Sequence, residues 1–338
     1  MGGTREHSLA LQMVWPIVRA FGRRGLDVRA LVASGDLSVT GADAASPWAR
    51  VPWSVIEASL PVSEAAFGSN DLGVQAALAS QPTDFGDLVR LCQAQPTLRD
   101  AIAAHDFHYR LVTTVGVIET VQREHDVVRR LHAAPGIVLN RTMVEYVFGL
   151  WLVLARHITG RPKLRVESVC FRHAAPDRLD AHKQLFGGQV LFGQPEDCLI
   201  ISQQTLELPS VHANRFEAHA FEQKLQQYQS AVPTRSARER VEEHVLFHLA
   251  SGAPSADAVA KRLGVGARHL HRLLIEDGTT YRGVVDETRK RLAMEYLART
   301  DMSVADVASR LGFADVQGFH RAFRRLTGLT PSAARKSA

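Results

Sequence analysis

The chain has 338 residues, 46% of them hydrophobic and 22% charged, with three cysteines and a net charge of +5; this excludes a disordered, collagen-like or disulfide-scaffolded protein and predicts two domains. Its longest apolar stretch, residues 144–155, includes Glu145 and Gly149 and falls short of the roughly 20 residues that cross a bilayer, so no membrane partner is expected. The charge is uneven: residues 255–338 carry 15 Lys and Arg against 9 Asp and Glu, whereas residues 1–254 carry 25 against 26, the pattern of a polyanion-binding module joined to a nearly neutral one. The opening MGGTREHSLALQ has no apolar core or small-residue cleavage pattern for export, so the expected location is cytoplasmic. Helix spacing follows at Leu9–Arg24, Ala30–Ser34, Trp53–Ala66, Asp71–Ala79, Phe85–Ala94, Leu98–Tyr109 and Thr142–Ile158. Strands are expected between Tyr109 and Leu139, for example in the β-branched run Leu111–Val115, and again among the alternating residues and turns of Leu164–Leu208. The first domain therefore reads as α+β. The Gln-rich stretch Lys224–Ser230 and the polar residues after it read as a linker, with the boundary near 233.

Beyond the boundary one unit occurs twice. SADAVAKRLGVGARHLHRLL begins at Ser255, and SVADVASRLGFADVQGFHRAF begins 48 positions later at Ser303. In each, an alanine (Ala260, Ala308) precedes a glycine (Gly264, Gly312) by four residues, with apolar residues on both sides of the glycine. A helix-turn-helix needs a small residue where its helices cross, a glycine in the turn and apolar residues between the helices. Leu270 and Leu273 complete the first unit; in the second, Phe319, Ala322 and Phe323 stand one position later, which predicts a turn longer by one residue. Ser255, Ser303 and Asp315 are expected N-caps. Between the units, Tyr281–Leu297 is an amphipathic helix with Tyr281, Val285, Thr288, Leu292 and Tyr296 on one face and Arg289, Lys290 and Arg291 clustered midway. Gly328-Leu329-Thr330-Pro331 then reads as a helix stop followed by a helix start.

Residues 237–336 resemble the DNA-binding domain of the AraC/XylS family of bacterial transcription regulators, through the two units on a linking helix, Arg289 to Ala293, Gly312-Phe313 and the tail FHRAFRRLTGLTPSAAR. Residues 10–225 resemble more loosely the arabinose-binding-type regulatory domain of that family, through Arg50-Val51-Pro52, Pro96 to Asp100, Phe171-Arg172-His173 with Pro176, and Phe186-Gly187 before Val190-Leu191-Phe192. The resemblance implies an effector-binding or dimerisation domain over 1–232, a linker at 233–236 and a DNA-binding domain over 237–338 with helix-turn-helix units at 255–277 and 303–327. It implies double-stranded DNA, RNA polymerase and a small-molecule effector as partners, a homodimer as an open possibility, and no cofactor.

On the reading helices, Arg268, His271 and Arg272, then Val316, Gln317, His320 and Arg321, are the expected base contacts. Arginine grips guanine O6 and N7, glutamine reads adenine, and valine touches a thymine methyl. Lys290, Arg291, Arg324 and Arg325 are expected at phosphates, which set register without reading sequence. Arg172 and His173 are carried over as effector contacts, and Trp151 is either a pocket wall or a core ring. The face Val144, Val147, Phe148, Trp151 and Ala155 is either a dimer face or internal packing. His105/His108 and His244/His248 have helical ligand spacing but no third ligand, so no metal is expected. No catalytic residue is expected. A DNA-repair methyl acceptor would need an activated cysteine, and Cys92, Cys170 and Cys198 lie in apolar or strand-like settings. An N-terminal domain that only dimerises stays as the other alternative.

Overall fold

The computed structural model describes residues 7–23, 25, 48–134, 137–231, 236–249, 252–263, 265–298 and 302–337. The expected helix Ala30–Ser34, Gly264 and, apart from Ser236, the expected linker 233–236 lie outside these residues. The chain divides into two compact units, Met1–Val232 and Pro233–Ala338.

In the first unit Ser8–Ala10 (β1) pairs antiparallel with Arg50–Pro52 (β2). Trp15–Arg23 (α1), Trp53–Phe67 (α2), Leu72–Ala79 (α3), Gly86–Ala94 (α4) and Leu98–Val112 (α5) lead to a hairpin of Gly116–Gln122 (β3) and Asp126–Ala133 (β4). Arg141–Thr159 (α6), Ser168–Cys170 (β5), Asp180–Phe186 (α7), Gln189–Leu191 (β6), Cys198–Ser202 (β7), Gln203–Leu206 (α8) and Arg215–Ala231 (α9) follow. The larger sheet has the order β3-β4-β7-β5-β6 and is antiparallel except for β5 against β6.

Helix α6 is the spine of this unit. Asn140 caps it by accepting from the Met143 backbone N–H, and Gly160 ends it in the left-handed conformation. It packs on α3 at a separation that only glycine allows. A Cβ at Gly73 would lie 2.3 Å from the Thr142 carbonyl oxygen, and one at Gly149 would lie 2.5 Å from the Ala77 Cβ. Val144, Val147, Phe148 and Trp151 are buried in the core, so this face is internal packing rather than a dimer face. Glu145, fully buried on α6, bonds His182 Nε2 through Oε1 at 2.8 Å, while its Oε2 has no hydrogen-bond partner.

The second unit is all helix: Ala237–His248 (α10), Ala256–Arg262 (α11), Ala267–Glu276 (α12), Tyr281–Ala298 (α13), Val304–Arg310 (α14), Val316–Thr327 (α15) and Pro331–Ser337 (α16). Helices α11 and α12 pack as one pair and α14 and α15 as another, while α13 touches α10, α14, α15 and α16. One core joins them, through Val259, Ala260, Leu270, Leu274, Val285, Val307, Ala308, Phe319 and Phe323. The described part of the chain has no helix long and apolar enough to cross a membrane.

Three sequence readings need correction. Leu9 and Ala10 belong to β1 and the first α-helix begins only at Trp15, because a partner strand lies forty residues on, at Arg50–Pro52. Leu111 and Val112 end α5 rather than starting a strand: Thr113 donates its N–H to the Tyr109 carbonyl and makes only an isolated bridge to Leu9, and continuous strand pairing begins at Gly116. The Gln-rich stretch Lys224–Ser230 is helix, part of α9, because Ala218, Phe221, Leu225 and Tyr228 recur at helical spacing and pack on the first core.

Candidate functional site

The second unit builds matched faces from its two helix pairs. Ser255 caps α11, and Ser303 with Asp306 forms a reciprocal capping box on α14. The gaps between paired helices are residues 263–266 and 311–315, so the second is longer by one residue, the offset that moves Phe319 into the core. Gly312 turns at φ +69°, and a Cβ there would lie 1.9 Å from the Leu249 carbonyl oxygen. Asp315 caps α15 by accepting from the Gly318 N–H at 2.5 Å.

On α12, Leu270 and Leu274 are buried and Leu273 lies at the core edge, so the deepest contact falls one position beyond the expected Leu273. Arg268, His271 and Arg272 are exposed together. Arg272 donates to His269 Nδ1 at 3.0 Å, a contact between two exposed side chains. On α15, Phe319 and Phe323 are buried with ring centroids 5.5 Å apart. Val316, Gln317 and Arg321 are exposed and His320 is half-buried. Lys290, Arg324 and Arg325 are exposed, with Arg325 donating to Asp286 at 3.1 Å. Arg291 differs: it is half-buried and pairs with Glu242 of α10 at 3.4 Å. Arg289 is also structural, donating from Nε to the Leu311 carbonyl at 3.2 Å and lying 4.6 Å over the Phe313 ring. It ties the linking helix α13 to the second turn.

The first unit contains a cavity of about 90 Å³ with a largely apolar wall drawn from α4, α5, α6 and the sheet. Trp151 is on that wall; Arg172 and His173 are not. His173 instead lies 3.4 Å from the buried Glu145 and packs on Phe171 and Phe192. The polar wall residues were not found from sequence: the buried Arg129, His105 and Tyr109 come from β4 and α5, and the exposed Arg165 is also on the wall. The trace they leave is an arginine, 3% exposed, set among Val127, Val128 and Leu131 in a strand. Arg129 donates to Asp106 at 2.5 Å, and Asp106 also accepts from Thr120 at 2.9 Å and bonds His105 Nδ1 at 3.0 Å. Burial raises the Asp106 carboxyl, but Arg129 and its hydrogen bonds overcome that and hold it below the ordinary range. Burial lowers the His105 imidazole, which is neutral at pH 7.

His105 and His108 do not converge: His108 bonds Glu222 at 3.0 Å. Among the described residues no group of three His, Cys, Asp or Glu is placed to hold a metal. Cys92, Cys170 and Cys198 are buried, Cys170 and Cys198 directly opposite each other across β5 and β7, and burial pushes the Cys92 thiol up to about 12.

Both units match known protein families. Residues 25–210 match the model of the arabinose-binding domain of AraC transcription regulators, and residues 259–337 match a helix-turn-helix domain. The chain belongs to the AraC family of transcription regulators. It is 30% identical to the ornithine utilization regulator of Pseudomonas aeruginosa over 210 residues, 61% of this chain and 62% of that one. It is 27% identical to the transcriptional regulator VirS of Mycobacterium tuberculosis over 174 residues, 52% of this chain and 51% of VirS. These matches thus span under two thirds of the relatives' own lengths. Among solved structures, the regulator CdpR from Pseudomonas aeruginosa aligns at a TM-score of 0.41 with 19% identity, over 96% of this chain and 98% of CdpR.

Proposed function

We propose that the chain is a sequence-specific DNA-binding transcription regulator, without catalytic activity, whose N-terminal unit takes a small-molecule effector. The observation that carries this reading is the duplication in the second unit: α12 and α15 each bury one apolar edge in a shared core and expose polar and basic side chains suited to a major groove. Arg268, His271 and Arg272 read bases from the first helix, and Val316, Gln317, His320 and Arg321 from the second. Lys290, Arg324 and Arg325 hold phosphates, whereas Arg291 braces α13 against α10. RNA polymerase is the partner through which such binding changes transcription, and the cytoplasm is the compartment that puts the protein beside both. A methyl-accepting repair role finds no support, since all three thiols are buried from a substrate as large as DNA.

The test is binding to an operator selected from random duplexes. Arg321→Ala or Arg272→Ala is expected to weaken operator binding by about 1–3 kcal/mol with random-sequence binding nearly unchanged. Equal losses on both duplexes would refute the base-reading assignment.

A further inference from the structure

The cavity wall in the first unit is apolar over most of its surface, and the buried polar residues His105 and Tyr109 lie beside Arg129. That arginine carries a charge already taken up. Its guanidinium donates from Nη2 to Asp106 and lies 4.3 Å over the Trp151 ring. Its Nε–H has no hydrogen-bond partner and is buried, an arrangement that folded proteins avoid unless an acceptor arrives from elsewhere. Of the other polar wall residues, Arg165 is a cation but is exposed to solvent, and the buried ones add no net charge. His105 is neutral by burial, and burial also pushes the Tyr109 phenol up, so it stays protonated and can donate. Arg129 and Asp106 together sum to zero.

A carboxylate entering this space would place a second anion beside Asp106 with one cation between them. An ammonium would set a second cation beside Arg129. At the buried Arg129 end either charge would lose its hydration with no uncommitted counter-charge beside it, because Arg129 is already engaged by Asp106 and Arg165, the other cation on the wall, is exposed to solvent. An uncharged oxygen needs only the donor that is already there.

We propose that this cavity binds an uncharged, largely apolar small molecule through one hydrogen-bond-accepting oxygen, such as a ketone or ester carbonyl, received at Arg129. The proposal rests on the reading of the N-terminal unit as the effector domain and names the chemistry of that effector.

Three probes of matched chain length test it on the full chain at pH 7.5: 2-nonanone, nonanoate and nonylamine, followed by tryptophan fluorescence and by the melting temperature of the first unit. 2-Nonanone is expected to bind at least about tenfold more tightly than either charged probe. Arg129→Lys keeps a cation opposite Asp106 but removes the Nε–H, and is expected to weaken 2-nonanone by about fivefold to tenfold. Ala101→Leu, which narrows the cavity from α5, is expected to weaken it by at least about tenfold. If Arg129→Lys fails to fold, the probe ranking and Ala101→Leu still decide. Nonanoate binding as tightly as 2-nonanone, no probe binding below about 1 mM, or unchanged binding in Ala101→Leu would each overturn the proposal. Operator binding measured on the same preparations without probe keeps the two readings separate: its absence would sink the regulator assignment and leave the probe ranking intact.

Discussion

At Gly312 two requirements coincide, a left-handed backbone at φ +69° and a carbonyl 1.9 Å from where a Cβ would sit. Either alone favours glycine; together they leave no relaxed conformation for another residue, since turning the backbone would detach Phe313 from Arg289. Gly312→Ala is therefore expected to destabilise the second unit by about 1–3 kcal/mol in urea denaturation; an unchanged midpoint would contradict this account. His105 makes a pH prediction in the first unit. Its folded-state pKa is lowered, so the unfolded chain takes up the proton first and stability falls as pH drops through the ordinary value near 6.5. Asp106 acts in the same sense but over a lower interval: its contribution is present above its ordinary value near 3.8 and is lost only as pH falls below that. Between pH 7 and pH 5 the histidine acts without the aspartate. His105→Gln is expected to show a shallower loss of melting temperature than the wild type over that interval, and parallel curves would exclude the histidine as the cause.

Elements with local signals were legible in the sequence. Ser255, Ser303 and Asp315 cap the helices they were expected to cap, because a short oxygen-bearing side chain ahead of an apolar repeat has few other uses. Asp315→Ala is expected to cost about 1 kcal/mol by leaving α15 with an unsatisfied N–H at Gly318, read as a lower urea midpoint. Elements that depend on distant partners were not legible. β1 exists because of β2, and the cavity's polar end joins His105 of α5 to Arg129 of β4, a proximity no local period encodes. Helix α9 was obscured for a different reason: its glutamines dominate the composition, while four residues, Ala218, Phe221, Leu225 and Tyr228, carry its packing. The same split divides the candidate sites. The proposed base-reading residues lie on two short amphipathic helices, so which side chains face away from the core could be read off the sequence, whereas Arg172 and His173, taken from a strand by resemblance, are not on the cavity wall, and His173 lies beside Glu145.

Across the whole molecule, the excess positive charge lies in the last quarter of the chain, and structure distinguishes cations that can meet a phosphate from those already occupied. Lys290 and Arg324 are exposed and Arg325 is exposed beside Asp286, but Arg291 is half-buried against Glu242, whose carboxyl is raised by burial and depends on that arginine. A phosphate contact releases condensed counterions when it forms, so its loss flattens the dependence of affinity on salt; a brace that never meets the duplex has no such effect. Lys290→Ala and Arg324→Ala are each expected to reduce the slope of log K against log salt by about 0.9, to the same extent on operator and random duplexes. Arg291→Ala is expected to leave that slope unchanged while lowering the melting temperature of the second unit, because it strands a partly buried carboxylate. Measuring slope and melting temperature on the same variants separates the roles: a flattened slope for Arg291→Ala at unchanged stability would move that residue from the brace to the DNA surface.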